Sequence, residues 1–477
     1  MAESVFVGSF VDKVPDKENV GGKEQTRNTP MTGHYHLVGI GGVGMSALAQ
    51  AMLDTGARIS GSDRLLDAGD ATDTLQRLRG QGVSLHQQDG SGVAAGMAGV
   101  IVSTAIEKDN ADLLRAQALG VPVLHRATAL AQVVEGRRLI AVAGTCGKST
   151  VTAMAGWMLA NCGIDPVVVN GAAVVGWDVD GRVGSVRKGA GAWAVIEADE
   201  SDRSLLVFDP EHAVITNASA DHFSVAETHD VFRDFRRRVR GKIIDGVGEA
   251  GGPCDLRCTG LDSAFTLEGV GFTVPVPGRH NAFNAWHAAR VARLTGVPAA
   301  DLARALATFR GVERRLQRVG EVQGAVVIDD YAHNPEKLAA AWTTLTGAFT
   351  RVCAVWRPHG FGPLRNMMDG IVETLARVCR SQDQLLVLPV YDMGGTADRS
   401  VRSEQLVDRL VARQVPARLV VSLDGAEIIL RSVAAPGVAL VTFGARDPGL
   451  PRLARSLVGP PLPKPIWETR LDDPEAD

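Results

Sequence analysis

One heptapeptide limits the possible folds of this chain more than any other stretch: Gly144-Thr145-Cys146-Gly147-Lys148-Ser149-Thr150. It follows the apolar run Leu139–Ala143 and opens a helix-compatible stretch that reaches Asn161. A buried strand, a glycine turn with exposed amides and a helix whose positive end faces the turn together make a phosphate cradle. In that cradle Lys148 places a cation on a transferring phosphate and the Ser149 hydroxyl is suited to Mg²⁺. The general pattern G-x4-G-K-[ST] would want glycine at position 142, where Val142 stands, so a generic pattern search would miss the loop.

The same strand–turn–helix rhythm recurs along the chain. His34–Gly39, Arg58–Gly61, Val100–Thr104 and Val121–Leu124 read as strands of a first unit. Arg138–Gly144, Pro166–Val169, Trp193–Ile196 and Ala213–Thr216 belong to a second, and Ala325–Asp330, Val352–Trp356, Gln384–Val390, Arg418–Ser422 and Val438–Phe443 to a third. Alternating strands and helices predict an α/β protein with parallel, doubly wound sheets. Aromatic residues are 5% of the chain, so Val, Leu, Ile and Ala must fill the cores. The expected division is a disordered tail (1–33), an N-terminal unit (34–137), a central unit (138–310), a C-terminal unit (311–460) and a second tail (461–477). Residues 241–267 carry too weak a periodicity to assign.

A net charge of −4 with both signs intermixed leaves no basic footprint for nucleic acid, and no apolar run is long enough to span a membrane. Six scattered cysteines in 477 residues fit a reducing cytoplasm better than a disulfide framework. Cys254 and Cys258 read as loop thiols, because no further metal ligands accompany them.

Other chemistry-bearing runs lie at strand ends. Gly39-Ile-Gly41-Gly42-Val-Gly44 sits between a strand and a helix, with Asp63 after the next strand at the spacing where an acid meets a ribose or base. That arrangement predicts a nucleotide-diphosphate site and does not separate NAD from a UDP-sugar. Glu197-Ala-Asp199-Glu200-Ser-Asp202 gathers four carboxylates at a strand's C-terminal end, a hard-oxygen set suited to Mg²⁺. Asp221-His222 follows another strand and could reach the same sheet edge.

Taken in order, GIGGVGMS, GTCGKST, VNG, EADESD, TNASADH, GRHNAFNA, GVERRLQ and DDYAHNP resemble the Mur ligase family, most of all its alanine-adding branch, from about His34 to Ser456. The resemblance implies three domains: a Rossmann-like N-terminal domain, a P-loop central domain and a Rossmann-like C-terminal domain. It implies ATP and Mg²⁺ as cofactors, small-molecule substrates, a cytoplasmic location and a monomer or homodimer. The implied chemistry activates a carboxylate such as that of UDP-N-acetylmuramate as an acyl phosphate, which an amino acid then attacks. By carry-over, Lys148, Glu197, His222, Arg315 and Asp330 are the catalytic set, and Ser149, Glu197 and His222 hold metal. The loop Gly144–Thr150 with Asn281, Asn284, Arg315 and Asp330 holds ATP. Gly41, Gly42, Gly44, Ser46, Asp63, Asn170 and Gly171 take the nucleotide-linked donor, and Tyr331, His333, His359 and Arg365 face the acceptor.

Departures from the alanine-adding pattern cluster at the acceptor. Cys146 and Asn334 stand where that branch usually has histidines, and Gly360 and Pro363 stand where it has arginines. Losing two guanidinium forks removes carboxylate anchors, though Arg399 and Arg446 could restore charge from neighbouring loops. Two activities therefore stay open, the cell-wall step and a divergent ligase with another donor or amino acid. A silent nucleotide-binding regulator is opposed by the joint presence of the five catalytic residues. An NAD dehydrogenase built on Gly39–Gly44 leaves everything after Gly144 unexplained.

Overall fold

A computed structural model describes residues 31–459 apart from 68, 70, 71, 219–223, 249, 250 and 393–397. The N-terminal sheet joins β1 (His34–Val38), β2 (Arg58–Ser62), β3 (Ser84–His86), β4 (Gly99–Val102) and β5 (Val123–His125) in the order β3-β2-β1-β4-β5. All its pairings are parallel. Strand order reverses at β1, and the glycine turn lies at its C-terminal end, where an open α/β sheet presents a ligand crevice. Met31, which the sequence reading left in the tail, is buried in this domain's core, and the Gly33 carbonyl accepts from Arg58 N–H at 2.9 Å.

The central sheet contains β6 (Arg138–Ala143), β7 (Val167–Val169), β8 (Val186–Arg187), β9 (Trp193–Glu197), β10 (His212–Ile215) and β11 (Ile243–Asp245), in the order β11-β10-β6-β9-β7-β8. Only the β7–β8 pair is antiparallel. Helix Lys148–Asn161 packs against the alanine-rich face of helix Arg279–Arg293, where Ala285, Ala288, Ala289 and Ala292 are buried. The stretch without legible period carries β11 and two strands, β12 (Cys254–Thr259) and β13 (Asp262–Leu267), of a three-stranded antiparallel sheet that β14 (Val270–Val274) completes. Phe265 and Phe272 stack on each other at 5.0 Å beneath it. Cys254 and Cys258 are thus exposed strand residues, not loop residues.

The C-terminal sheet runs β15-β16-β20-β17-β18-β19, from β15 (Gln317–Val322), β16 (Ala325–Asp330), β17 (Arg351–Trp356), β18 (Gln384–Val387), β19 (Ala417–Leu419) and β20 (Val438–Phe443). The antiparallel edge strand β15 escaped the sequence reading, as did the closing helix Gly449–Val458.

The N-terminal and central domains are clasped. Arg182 reaches Asp54 at 2.9 and 2.5 Å, Arg77 meets Asp178 at 3.1 Å, and Gln81 donates to the Asp180 carbonyl at 2.9 Å. The C-terminal domain meets the N-terminal one through the exposed pair Arg455 and Asp73, 3.5 Å apart.

Packing beneath the first glycine turn leaves no slack. A Cβ added to Gly61 would stand 2.5 Å from Ile40 Cδ1 and 2.8 Å from the Leu37 carbonyl. Gly61→Ala is expected to cost about 1–3 kcal/mol by overpacking, read as a shifted midpoint at unchanged slope in urea unfolding.

Candidate active site

The three domains enclose a cleft of about 1750 Å³. A pocket for one drug-sized ligand measures roughly 300–1,000 Å³, so this cleft has room for more than one.

Its N-terminal wall is the glycine turn. Gly39 N–H and Ile40 N–H donate to the Ser62 carbonyl at 2.8 and 2.9 Å, and Gly39 has φ 73°, a conformation that favours glycine. Gly41, Gly42, Ser46 and Asp63 line the cleft, while Gly44 lies just behind it. Asp63 also has a structural task beside the cleft it lines. Its carboxylate already accepts from Gly41 N–H at 2.8 Å and Leu65 N–H at 3.0 Å, so it braces the turn.

The phosphate cradle is built by close backbone approach. Gly144 has φ 130° and Gly147 φ 86°; a Cβ on the first would collide with Thr216 Oγ1 and on the second with Asn284 Oδ1. Asn217, absent from the expected set, laces the loop. Its Oδ1 accepts from Thr145 Oγ1 at 2.7 Å and Cys146 N–H at 2.9 Å, and its amide donates to the Cys146 carbonyl at 3.0 Å. Asn284 donates to Asn281 Oδ1 at 3.1 Å, and Asn281 donates to the Pro277 carbonyl at 2.7 Å, which fixes both amides beside the loop.

Lys148 Nζ donates to the Gly144 carbonyl at 2.8 Å and to Glu200 Oε2 at 2.7 Å, with Asp199 at 3.9 Å. Burial works against the ammonium, yet Glu200, Glu197 and Asp199 around it raise its pKa above the ordinary lysine value. Lys148 is therefore a fixed cation.

The four carboxylates do not form one cage. Glu200 is 2% exposed and serves Lys148, whereas Glu197 Oε2 accepts from Gly171 N–H at 2.8 Å at the end of β9. Asp202 turns to the N-terminal domain, 3.5 Å from His125 Nε2 and 3.4 Å from Thr104 Oγ1. Asn170 is 2% exposed and donates to the Ala172 carbonyl at 2.8 Å, and its Oδ1 has no partner among the described residues. His222 lies outside the described residues. Among those described, no three His, Cys, Asp or Glu side chains are grouped to hold a metal ion. Mg²⁺ does not require such a group, since it keeps waters and takes substrate phosphate oxygens beside one or two protein ligands. Glu197 and Ser149, both on the cleft wall, suit that role.

The junction into the C-terminal domain is strained around Arg315, with Arg314 at φ 58° and Leu316 at φ 47°. Arg314 is consumed structurally, donating to the Ala445 carbonyl at 3.0 Å and to the Gly444 carbonyl. Arg315 lines the cleft, its guanidinium 5.1 Å from the centre of the Tyr331 ring. Asp330 accepts from Leu316 N–H and Ala332 N–H, both at 2.7 Å. Burial lifts its carboxyl from 3.8 to about 6, against the pull of Arg315 and the two amides.

A carboxyl raised in the fold stabilises the protein fully below its unfolded value, and that contribution is lost as pH rises through the folded one. Activity that needs the carboxylate moves the other way. We expect kcat/KM to show an acid limb near pH 6, and Asp330→Asn to remove that limb while lowering the rate. Urea unfolding of the same pair should show the native protein losing this share of stability between pH 4 and pH 7, with Asp330→Asn not losing it.

On the acceptor side, Tyr331 lines the cleft while His333, His359 and Arg365 do not. His333 and His359 pack edge to face at 4.8 Å, and both are lowered to about 4, chiefly by burial. They are neutral at pH 7. Arg365 is held by Asp398 at 2.7 Å and Ser400 at 3.2 Å, and Arg357 by Asp447 at 2.6 Å. Arg399 is paired with Asp392 at 2.7 Å, whereas Arg446 lines the cleft.

Three α/β domains closing on a phosphate cradle with a fixed lysine define a multidomain nucleotide-binding protein suited to phosphoryl transfer. The chain belongs to the Mur ligase family, whose enzymes use ATP and Mg²⁺, and is a carbon–nitrogen bond-forming ligase of that family. The profile described as "Mur ligase family, catalytic domain" matches residues 34–138, and the one described as "Mur ligase, glutamate ligase domain" matches residues 314–446. A UDP-N-acetylmuramate–L-alanine ligase of Rhizobium meliloti is 34% identical over 459 residues, covering 87% of this chain and 94% of its own length. The enzyme of that name from Streptomyces avermitilis is 35% identical over 453 residues, covering 86% and 94%. The crystal structure of UDP-N-acetylmuramate–alanine ligase from Thermotoga maritima superposes with a TM-score of 0.74 at 24% identity, over 89% of this chain and 98% of that one. That likeness carries the three-domain fold. No helix among the described residues is long and apolar enough to cross a membrane.

Proposed function

We propose that this chain uses ATP and Mg²⁺ to join an amino acid to the carboxylate of UDP-N-acetylmuramate or a closely related nucleotide-linked acid. The observation that carries the reading is the convergence on one cleft of the glycine turn, Lys148 with Glu197, and Arg315 with Asp330, from the N-terminal, central and C-terminal domains respectively. In the first step a carboxylate oxygen of the donor attacks the γ-phosphorus of ATP and the bond to the ADP oxygen breaks, giving an acyl phosphate and ADP. In the second the acceptor amine adds to the acyl carbon; the tetrahedral adduct expels inorganic phosphate and loses a proton, leaving the amide.

Such transfers rest on positioning and on neutralising charge. Lys148 and the amides of Gly144–Thr150 hold the β- and γ-phosphates, and Arg315 approaches the γ-phosphate from the domain junction. Asp330 fixes the nucleotide from the C-terminal side, and Asn281 and Asn284 border the adenine end. Ser149 and Glu197 would hold Mg²⁺, whose charge supports the developing phosphate charge. The glycine turn, Ser46 and Asn170-Gly171 take the diphosphate and sugar. Residues 34–137, 138–310 and 311–460 divide these tasks in a cytoplasmic enzyme that is a monomer or homodimer.

One observation favours an acceptor other than L-alanine. Gly360 and Pro363 leave that stretch with Arg357 and Arg365 only, and both guanidiniums are engaged within their own domain. Arg446 is then one of the cations on that wall of the cleft, with Lys337 and Arg452, placed to meet an acceptor carboxylate. The test is phosphate release by the purified protein with ATP, Mg²⁺ and UDP-N-acetylmuramate, with the twenty amino acids supplied singly. Turnover with L-alanine alone supports the cell-wall step, and turnover with another amino acid supports the divergent reading. Silence with all twenty, alongside ATP binding, overturns the proposed donor–acceptor pair.

A further inference from the structure

Asp199 stands between two cations, Lys148 on the cleft wall and Arg126 behind the glycine turn. Its Oδ1 is 3.9 Å from Lys148 Nζ on the nucleotide side, and its Oδ2 is 3.9 Å from Arg126 Nη2 on the donor side. Arg126 opens helix Arg126–Val133 of the N-terminal domain, and its guanidinium lies over the glycine turn: a Cβ placed on Gly44 would be 3.0 Å from Nη1. Glu200, buried beside them, holds the inner face of Lys148 at 2.7 Å. One acidic loop of the central domain therefore touches both the phosphate cradle and the backing of the donor turn.

We propose that Arg126 is a positioning residue through which the nucleotide pocket and the donor pocket sense each other's occupancy, with Asp199 as the shared partner. The proposal rests on the assignment of those two pockets above. When a phosphate group arrives at Lys148, the ammonium turns its charge to that phosphate, and Asp199 keeps Arg126 as its remaining counter-charge. The Asp199–Arg126 attraction then strengthens and draws the glycine turn against the central domain, where the donor diphosphate is seated. Coupling of this kind is reciprocal, so the donor tightens the nucleotide by the same factor. The two side chains are 20% and 37% exposed, so water screens part of the attraction. A coupling of about 5–10-fold, at the low end of the usual range, is expected.

The experiment is calorimetric titration of the full chain with UDP-N-acetylmuramate, with no amino acid present, in the absence and presence of a saturating non-hydrolysable ATP analogue and Mg²⁺. Wild type should bind donor about 5–10-fold tighter with the analogue present. In Arg126→Ala the ratio should fall below about 2, and Arg126→Lys should restore part of it because it keeps the charge. Asp199→Asn should also abolish the ratio, and adding Arg126→Ala to it should change the ratio no further. The inference is overturned if wild type binds each ligand without coupling. It is equally overturned if Arg126→Ala weakens donor by the same factor with and without the analogue, as a merely structural or directly contacting arginine would. Should neither the analogue nor the donor bind wild type at all, the functional reading fails and takes the inference with it. Thermal melts of each variant establish that the folded protein is being titrated.

Discussion

Lys148→Ala should lower the rate of ADP formation by at least about 10³-fold, the scale on which phosphoryl transfer depends on a single positioned cation. The structure gives the reason for so large an effect. The ammonium is held from behind by the Gly144 carbonyl and Glu200, and the carboxylates around it keep it charged. It is therefore already oriented before a phosphate arrives. The substitution also leaves Glu200, 2% exposed, without its cation, so some stability is lost as well. Lys148→Ala combined with Glu200→Gln removes that unpaired charge. If the double variant regains the wild-type melting temperature while ADP formation stays down, the lysine acts on the phosphate. Recovery of activity in the double variant would reduce Lys148 to a scaffold residue.

Asp383→Ala should destabilise the C-terminal domain by about 3–5 kcal/mol, the cost of breaking a buried charged pair. The carboxylate is 3% exposed and holds three elements together. It accepts from Val352 N–H at the start of β17 at 2.9 Å, from Trp342 Nε1 at 3.2 Å, and from the guanidinium and backbone N–H of Arg380 at 2.9–3.2 Å. Removing it strands a buried indole N–H, a strand N–H and a cation together. Burial alone would raise this carboxyl, but Arg380, the Val352 amide and Trp342 outweigh it and hold it below the ordinary value. The associated stability is present above the ordinary carboxyl pKa and is lost as pH falls through the lowered one. Urea unfolding at pH 7 against pH 3 should therefore show the gap between wild type and Asp383→Ala narrowing in acid. A gap of equal size at both values would mean that packing, rather than the carboxylate, is responsible.

What the sequence made legible is what local chemistry dictates. Strand β6, the glycine loop and helix Lys148–Asn161 are each specified by neighbours within a few residues, and the structure places that helix over the stretch expected after the glycine loop. The glycine turn could be read for the same reason, whereas Asp330 at the end of β16 came only through the family resemblance. The antiparallel sheet β12-β13-β14 could not, because strands with exposed Cys254, Asp255 and Asp262 show little alternation and gain their order from the stacked Phe265 and Phe272. Helix Val225–Arg236 has its start fixed by a capping box between Ser224 and Glu227. The acidic run looked like one metal cage and proved to serve three tasks, since composition does not say which way each carboxylate turns. Arg126 and Asp199, far apart in the chain, meet only through the tertiary fold.

The clasp formed by Arg182 with Asp54 and Arg77 with Asp178 has a consequence for timing rather than for chemistry. It binds the N-terminal and central domains together, while the C-terminal domain meets the N-terminal one through a solvent-exposed pair, Arg455 and Asp73, and the central one through backbone bonds such as Glu313 N–H to the Ala173 carbonyl at 2.8 Å. Salt weakens the exposed contact first. Lifting of the C-terminal domain to release product is therefore expected to quicken as ionic strength rises, with the groups that line the phosphate cradle unchanged, and product-release rates measured against salt check it.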